Sequence, residues 1–420
     1  IRDSSGKYIL MNDIDLSSIT DWDSIGKRDN AFTGTIDGNG FKITGLSVNH
    51  IALNDGGYGA GLLGWVEGAT IQNLGIENAN VVSDYSHNGI LVGSAHNTQI
   101  VNCYATGYVS GGDDAIGAFT GGLVGLLDGG LLSYSSASAN VTTTGIGCAV
   151  GGLVGGATNS AVISYSYTDS DVSSNNSYVG GFIGQLTSNA TINNSYANGK
   201  ITSQNYGSSG GFVGSIYSGG SISNSYCAVI NQISNITSSR QGFVGSITDG
   251  LITNSYWDTE KGGTTISGGG TGLTTAQMAD QSNFTGWDET IWDFSGATPT
   301  LKDQNANSGT SSTLTGSVDT RGFSDSAFYN QQDGTLSFSN GVSVSIGATD
   351  THSQVIQKLN DAGFTASINA DGKIEISATG VSDLSVTSDS SDFAYFYGLN
   401  NHGTTYMGQI DSSTVETTPP

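Results

Sequence analysis

Gly181-Phe182-Ile183-Gly184, followed eight residues after its closing glycine by Ile192-Asn193-Asn194-Ser195-Tyr196, is one copy of the repeat that decides the fold. The glycine–aliphatic block recurs as Gly61-Leu62-Leu63-Gly64, Ile90-Leu91-Val92-Gly93, Gly122-Leu123-Val124-Gly125, Gly152-Leu153-Val154-Gly155, Gly211-Phe212-Val213-Gly214 and Gly242-Phe243-Val244-Gly245. The closing glycines lie 29, 32, 30, 29, 30 and 31 residues apart. A second block of pattern I-x-N-S-Y follows each after seven or eight residues, led by Ile71, Ile100, Leu132, Ile163, Ile192, Ile222 and Ile252. A third, weaker strand ends at Val109, Val141, Val172, Ile201 and Ile233. A fixed period of this length marks a stacked repeat, and alternation at period 2 among dense glycines excludes helices. Three short strands per repeat predict a parallel β-helix of about nine coils.

Alternation within I-x-N-S-Y places positions 1, 3 and 5 on one side of a strand. The aliphatic residue must face inward, so this reading turns the Asn and Tyr inward too. Asn73, Asn102, Asn194, Asn224 and Asn254 would then stack as an amide ladder, and Tyr104, Tyr167, Tyr196, Tyr226 and Tyr256 as an aromatic column. Packing explains the column as well as a sugar-binding strip does. Tyr134 and Tyr165 replace Asn in two consecutive repeats, so two adjacent rings are expected to stack on each other.

Composition narrows the function classes. The chain has 420 residues, 63 of them Gly, and a net charge of −24 from 12 basic and 36 acidic side chains. Such a charge argues against nucleic acid, whose phosphates need a basic patch, and against docking on an anionic membrane. No apolar run is long enough for a spanning helix, so no membrane insertion is expected. The chain opens at Ile1 without a Met or a signal-type segment, which reads as an excised or processed piece. Cys103, Cys148 and Cys227 form no C-x-x-C pair and read as small buried residues rather than zinc ligands or reactive thiols.

The flanks read as follows. Tyr8 to Leu16 and Phe32 to Ile43 are early coils. Thr274-Thr275-Ala276-Gln277 is a capping box, and Trp287 and Trp292 are expected to lie over the last coil as an end cover, which an open solenoid end needs. These blocks, with Lys7-Tyr8-Ile9-Leu10, Asn12-Asp13-Ile14-Asp15, Ser255-Tyr256-Trp257-Asp258-Thr259 and Gly270-Thr271-Gly272-Leu273-Thr274-Thr275, make residues 8–303 resemble the GLUG-repeat β-helices of large bacterial exoproteins. The resemblance implies a right-handed parallel β-helix, surface display and adhesion, and no particular chemistry.

Past Pro299 the pattern changes. The domain reading is 1–256 β-helix, 257–303 cap, 304–315 linker, 316–405 a small α+β domain and 406–420 a tail. The α+β domain reads as ββαββ. One hairpin turns at Asn340-Gly341, a helix runs from Thr351 to Asp361 with Thr351 and Gln354 as its capping box, and a second hairpin turns at Asp371-Gly372. Val344, Ile346, Val355, Leu359, Phe364, Ile368, Ile374 and Ile376 are its expected core. Gly341-Val342-Ser343-Val344-Ser345-Ile346, Thr351, Val355, Lys358-Leu359-Asn360, Phe364-Thr365-Ala366-Ser367, Asp371-Gly372-Lys373-Ile374 and Tyr397-Gly398-Leu399-Asn400 make it resemble the flagellin hook IN motif of flagellar hook-associated proteins. That likeness implies flagellar axial subunits as partners and an outward-facing β-helix.

No catalytic residue, metal site or cofactor emerges. Between Ile43 and Gly199 there is no Lys or Arg, so most of the solenoid lacks a basic catalyst. Asp113-Asp114 reads as a solvated turn, and Asp169 and Asp171 as surface acids rather than a metal pair. The histidines, His50, His87, His96, His352 and His402, form no metal-binding spacing, although His87 and His96 can meet across a turn. The reading is a non-enzymatic, extracellular structural or adhesive segment exposed on the bacterial cell surface or flagellum, the outward-facing part of a flagellar hook-associated or filament-type protein, with surface glycans or proteins as partners and the ligand unknown. A free secreted adhesin and a carbohydrate-active lyase or hydrolase are the alternatives.

Overall fold

A computed structural model describes residues 4–50, 59–111, 118–143, 145, 147–174, 178–203, 208–233, 240–302, 312–315, 333–338, 342–347, 349–368, 373–378, 384 and 386–389. The chain divides into two compact units, residues 1–301 and 302–420. The first is mainly β, a parallel solenoid whose coils have four faces rather than three. One complete coil contains Phe119–Gly121, Val124–Asp128, Leu131–Ser133 and Ser136–Thr143 on faces one to four. The short first-face strand just before each glycine block escapes a reading based on aliphatic residues, because the strands are Gly59–Ala60, His87–Asn88 and their equivalents. Seven strands stack on each of the first two faces and nine on the third, so seven coils are complete. The expected nine includes two N-terminal turns that add strands only to the third and fourth faces.

The glycine–aliphatic block makes the sharp bend between faces one and two. A Cβ on Gly184 would lie 2.3 Å from the backbone N of Val150 in the preceding coil. At Gly155 it would lie 2.5 Å from the N of Thr120, and at Gly214 2.6 Å from the O of Gly184. Backbone meets backbone there, so only glycine fits. The two residues between the glycines turn inward. Leu153, Val154, Phe182, Ile183, Phe212 and Val213 have no exposed surface, and Phe182, Phe212 and Phe243 stack at 4.6 and 4.9 Å. Each such side chain withdraws about 1.5–3 kcal/mol worth of apolar surface from water.

The second block corrects the alternation argument. Its third residue takes a left-handed backbone in every coil, with φ of 54° at Asn73, 53° at Asn102, 45° at Asn194, 46° at Asn224 and 43° at Asn254. That corner between faces three and four breaks period 2, so the chain turns Ile inward, Asn outward and Ser inward. Asn102 and Asn254 are exposed and Asn73 and Asn224 half-buried, while Asn194 is covered to 8% exposure. Asn is used because it tolerates this conformation better than other side chains. The expected inward amide ladder is therefore absent; Asn102 Nδ2 does donate to Asn73 Oδ1 at 2.9 Å, outside the core. Serine makes the buried ladder instead. Ser135, Ser166, Ser195, Ser225 and Ser255 each donate a hydroxyl to the carbonyl two residues back at 2.8 Å. Each accepts the backbone N–H of the equivalent residue one coil earlier, at 3.1–3.3 Å. The third-strand reading also slips once: Ile201 stands opposite Asn231, not Ile233.

The end cover differs from expectation as well. The run Gly268-Gly269-Gly270 lies against the last coil, where Cβ atoms would meet Val244, Ile252 and Phe243. Thr271–Leu273 adds a further strand beyond Tyr256–Asp258. The Trp pair instead lies along the flank. Trp287 and Trp292 stack at 4.2 Å and pack beside Tyr196, Tyr226 and Tyr256. The capping box forms where the spacing places it, with Thr274 capping the helix Thr275–Met278.

Among its described residues the second unit contains a helix, His352–Asp361, capped by Thr351 and Gln354, and six strands in two antiparallel three-stranded sheets. Ser312–Thr315, assigned to the linker on sequence, pairs with Ile374–Ala378, and Val386–Asp389 joins the other sheet. The unit is thus larger than ββαββ. Of the expected core, Val344, Ile346, Val355, Leu359, Phe364, Ile374 and Ile376 are buried, whereas Ile368 is 39% exposed. The turns at Asn340-Gly341 and Asp371-Gly372, and Tyr397 to Asn400, lie outside the described residues.

If the bend is fixed by backbone contact, Gly184→Ala destabilises the solenoid by about 2–3 kcal/mol. Asn224→Gly, which keeps a left-handed corner available, changes stability by no more than about 0.5 kcal/mol. Urea unfolding of the two variants checks the contrast.

Candidate functional sites on the outer faces

Two clusters on the outer surface have the residue types that do chemistry or bind ligands. The first lies at the bend between faces one and two. Ser94 and His96 are two apart on Val92–His96, so both point outward, and His96 stands in register with Asp128 of the next coil. His96 Nδ1 lies 3.0 Å from Asp128 Oδ2, and His96 Nε2 lies 2.9 Å from Ser94 Oγ. His87, from the neighbouring face, reaches Ser94 Oγ through Nδ1 at 3.1 Å. The carboxylate accepts from Nδ1–H of His96, leaving Nε2 to accept the Ser94 hydroxyl, whose oxygen accepts from His87.

Serine, imidazole and carboxylate in this order form a nucleophile-activating relay elsewhere. Here the relay is closed. Ser94 has no exposed surface, its oxygen is covered by His87, and the Trp65 ring stacks on His96 at 4.2 Å and 19°. The guanidinium of Arg28 lies 5.8 Å from the same Trp65 ring. A substrate carbonyl has no approach to Ser94; the chain of bonds ties the coil of His87, Ser94 and His96 to that of Asp128, and the Trp65 stack adds the coil before it. Burial, with help from the nearby His96, pushes His87 down to about 4.

The sequence reading anticipated that His87 and His96 meet, and they do so through Ser94. It missed Ser94, Asp128 and Trp65, although the period contains the signal: Asp128 is one repeat beyond His96. His50 is buried against Tyr85. The side chain of His352, together with His402 and Asp113-Asp114, lies outside the described residues. Asp169 and Asp171 are exposed; Asp169 accepts from Asn198 at 3.0 Å and Asp171 stands beside Lys200. Among the described residues no group of three His, Cys, Asp or Glu is placed to hold a metal. The three cysteines are buried and none is in a disulfide, and burial pushes the Cys103 thiol up to about 12.

The second cluster is the tyrosine column, which the left-handed corner turns to the outside of the fourth face. Tyr167, Tyr196 and Tyr226 stack at 4.9 and 5.2 Å. The upper part is covered by the segment after the last coil, where Tyr226 donates its hydroxyl to the carbonyl of Pro299 at 2.6 Å. Tyr104 and Tyr134 remain open, each 38% exposed. The Tyr134 and Tyr165 rings stack as expected, at 4.9 Å and 3°.

Two of the comparisons with known proteins, by sequence, point to surface-type repeats. Residues 175–202 match the GLUG motif. Over 124 residues, 27% of the chain, the sequence is 38% identical to halomucin of Haloquadratum walsbyi, of which it spans 1%. Among solved structures, an IgA1 protease covers 61% of this chain and 18% of its own, at 20% identity and a TM-score of 0.38. That likeness is too slight to bear on activity. A GLUG-repeat surface-type β-helix is what the first two findings support; neither includes a flagellin hook-like domain.

The low His87 value gives a pH prediction. The native state holds the ring neutral, so unfolding takes up a proton below about pH 6.5, the unperturbed value. The stability this provides is whole above pH 6.5 and is lost as pH falls toward about 4, amounting to about 3 kcal/mol at most. His87→Phe, which places an aromatic ring there as Phe119 does in the next coil, should lose less stability than the parent between pH 7 and pH 4. Equal losses, read by urea unfolding at both pH values, would contradict the assignment.

Proposed function

We propose that this chain is a non-enzymatic, surface-displayed structural or adhesive segment, extracellular in location, whose solenoid presents its outer faces to a glycan or protein partner. The observation that carries the reading is the closed relay at Ser94. In a solenoid whose residues 175–202 match the GLUG motif, the serine–histidine–carboxylate chain found among the described residues, at Ser94 in an earlier coil, has its hydroxyl covered, so it serves to join coils. The described residues also include no helix long and apolar enough to cross a membrane.

The second unit supports a finer reading, in which a hook IN-like module with limits near 316–405 joins the solenoid to flagellar axial subunits. Its support is the hairpin–helix–hairpin order within the two sheets and the shared core of Val355 and Leu359. The coarser reading does not depend on it.

Antibodies against residues 4–302 should label intact cells that produce the protein; labelling only after lysis would contradict surface display. Incubation with peptides, esters, pectins and alginates, with and without Ca²⁺, should yield no new chain ends. Turnover abolished by Ser94→Ala would overturn the non-enzymatic reading.

A further inference from the structure

The tyrosine column has an empty rung. In register along the fourth face, Ser136 stands between Tyr104 and Tyr167. Above it the rungs are filled ring on ring, Tyr167 against Tyr196 at 4.9 Å. Below it the missing side chain of Gly75 is replaced by the Tyr104 ring, which folds over it; a Cβ on Gly75 would lie 2.4 Å from that ring. The Tyr104 hydroxyl holds the ring there by donating to Glu77 at 2.9 Å. Nothing comparable fills the Ser136 rung among the described residues. Tyr167 therefore stacks on Tyr196 on one side and on the other has Ser136 as its register partner, a side chain too short to cover a ring.

The corner beside this gap is strained. Tyr134 and Tyr165 hold φ of 51° and 48° where five other coils use Asn. A bulky side chain in that region costs about 1–2 kcal/mol, and such strain is found where it serves a site. What it maintains here is a second pair of stacked rings, Tyr134 on Tyr165, two residues ahead of Ser136 and Tyr167 in their coils.

We propose that the Ser136 rung binds one pyranose ring of an uncharged or N-acetylated glycan, stacked on Tyr167 with Tyr134 at its side. This rests on the surface-adhesive reading and names its ligand class. A ring inserted at that rung lies about 4.8 Å from Tyr167, the strand spacing, as the tyrosines above it do. A sugar ring has an apolar face for the tyrosine and hydroxyls at its edge. Ser136 forms the floor, and the exposed Ser138 and Asp169 stand further along the strands. Both are exposed, so they can exchange water for hydroxyls at the edge of a sugar ring. Charge excludes acidic sugars. No Lys or Arg occurs between Ile43 and Gly199, and Lys42, beside Tyr104, is paired with Glu77 at 3.0 Å.

The test is a glycan array probed with the whole chain. It should display oligomers of N-acetylglucosamine, galactose and mannose beside sialylated and sulfated glycans. Binding is expected on neutral or N-acetylated members. Tyr167→Ala should weaken it about tenfold. Ser136→Tyr, which fills the rung with the protein's own ring, should abolish it while leaving Tm equal or higher. If Tyr167→Ala fails to fold, Ser136→Tyr still decides. Binding unchanged by Ser136→Tyr would place the glycan elsewhere, overturning this site while the adhesive reading stands. A preference for sialylated or sulfated glycans, or no binding to any member, would also overturn it; surface display would then be judged by cell labelling alone.

Discussion

The solenoid depends on a contact between two stretches of backbone. At the bend that closes each glycine–aliphatic block, the chain passes so near the preceding coil that a single extra carbon has nowhere to go. This sets how sharply the first face folds onto the second and turns the intervening Leu, Val, Ile or Phe into the core. It also requires the same bend in the next coil, because the bend packs against its own copy. The period follows from that requirement. Sequence between the bends can vary by a few residues, as the spacings of 29 to 32 show, but the bend itself cannot.

The second corner decides what the molecule presents to its surroundings. A left-handed residue at the Asn position inverts the expected alternation. Serine hydroxyls go inside, where they bond the backbone of adjacent coils, and the tyrosines go out. Had the strand run straight, the tyrosines would be core and the outer face would be small and polar. Instead a line of rings stands along one flank. Part of it is covered by the segment containing Trp287 and Trp292, and part is left open around Ser136.

The repeat made most of this fold legible in advance. The core positions, the capping boxes at Thr274 and Thr351 and the Tyr134–Tyr165 stack follow from spacing and local chemistry. What spacing conceals is any break in the period of 2. An Asn inside a strand-like block carries no mark that distinguishes a ladder from a left-handed corner. The Tyr at the same position in two coils hid it further, since bulky residues seldom adopt that backbone. The relay at His96 was hidden differently: Asp128 is near only once the coils are stacked, and the reading did not carry residues forward by one period. The Gly268-Gly269-Gly270 strap lies within the expected cap but its seat is not legible, because the surface it lies against is made by residues 17 to 27 positions earlier.

The central claim is that successive coils stack in register with the Asn corner outside. It is tested most directly by electron spin resonance distances between nitroxides at Asn73 and Asn254, the native cysteines being buried. Six rungs separate the two sites, so the account predicts a single narrow distance near 29 Å, from a rise of about 4.8 Å per coil, with spectra of mobile, solvent-exposed labels. Immobilised labels, a broad distribution or a distance unrelated to six rungs would contradict it.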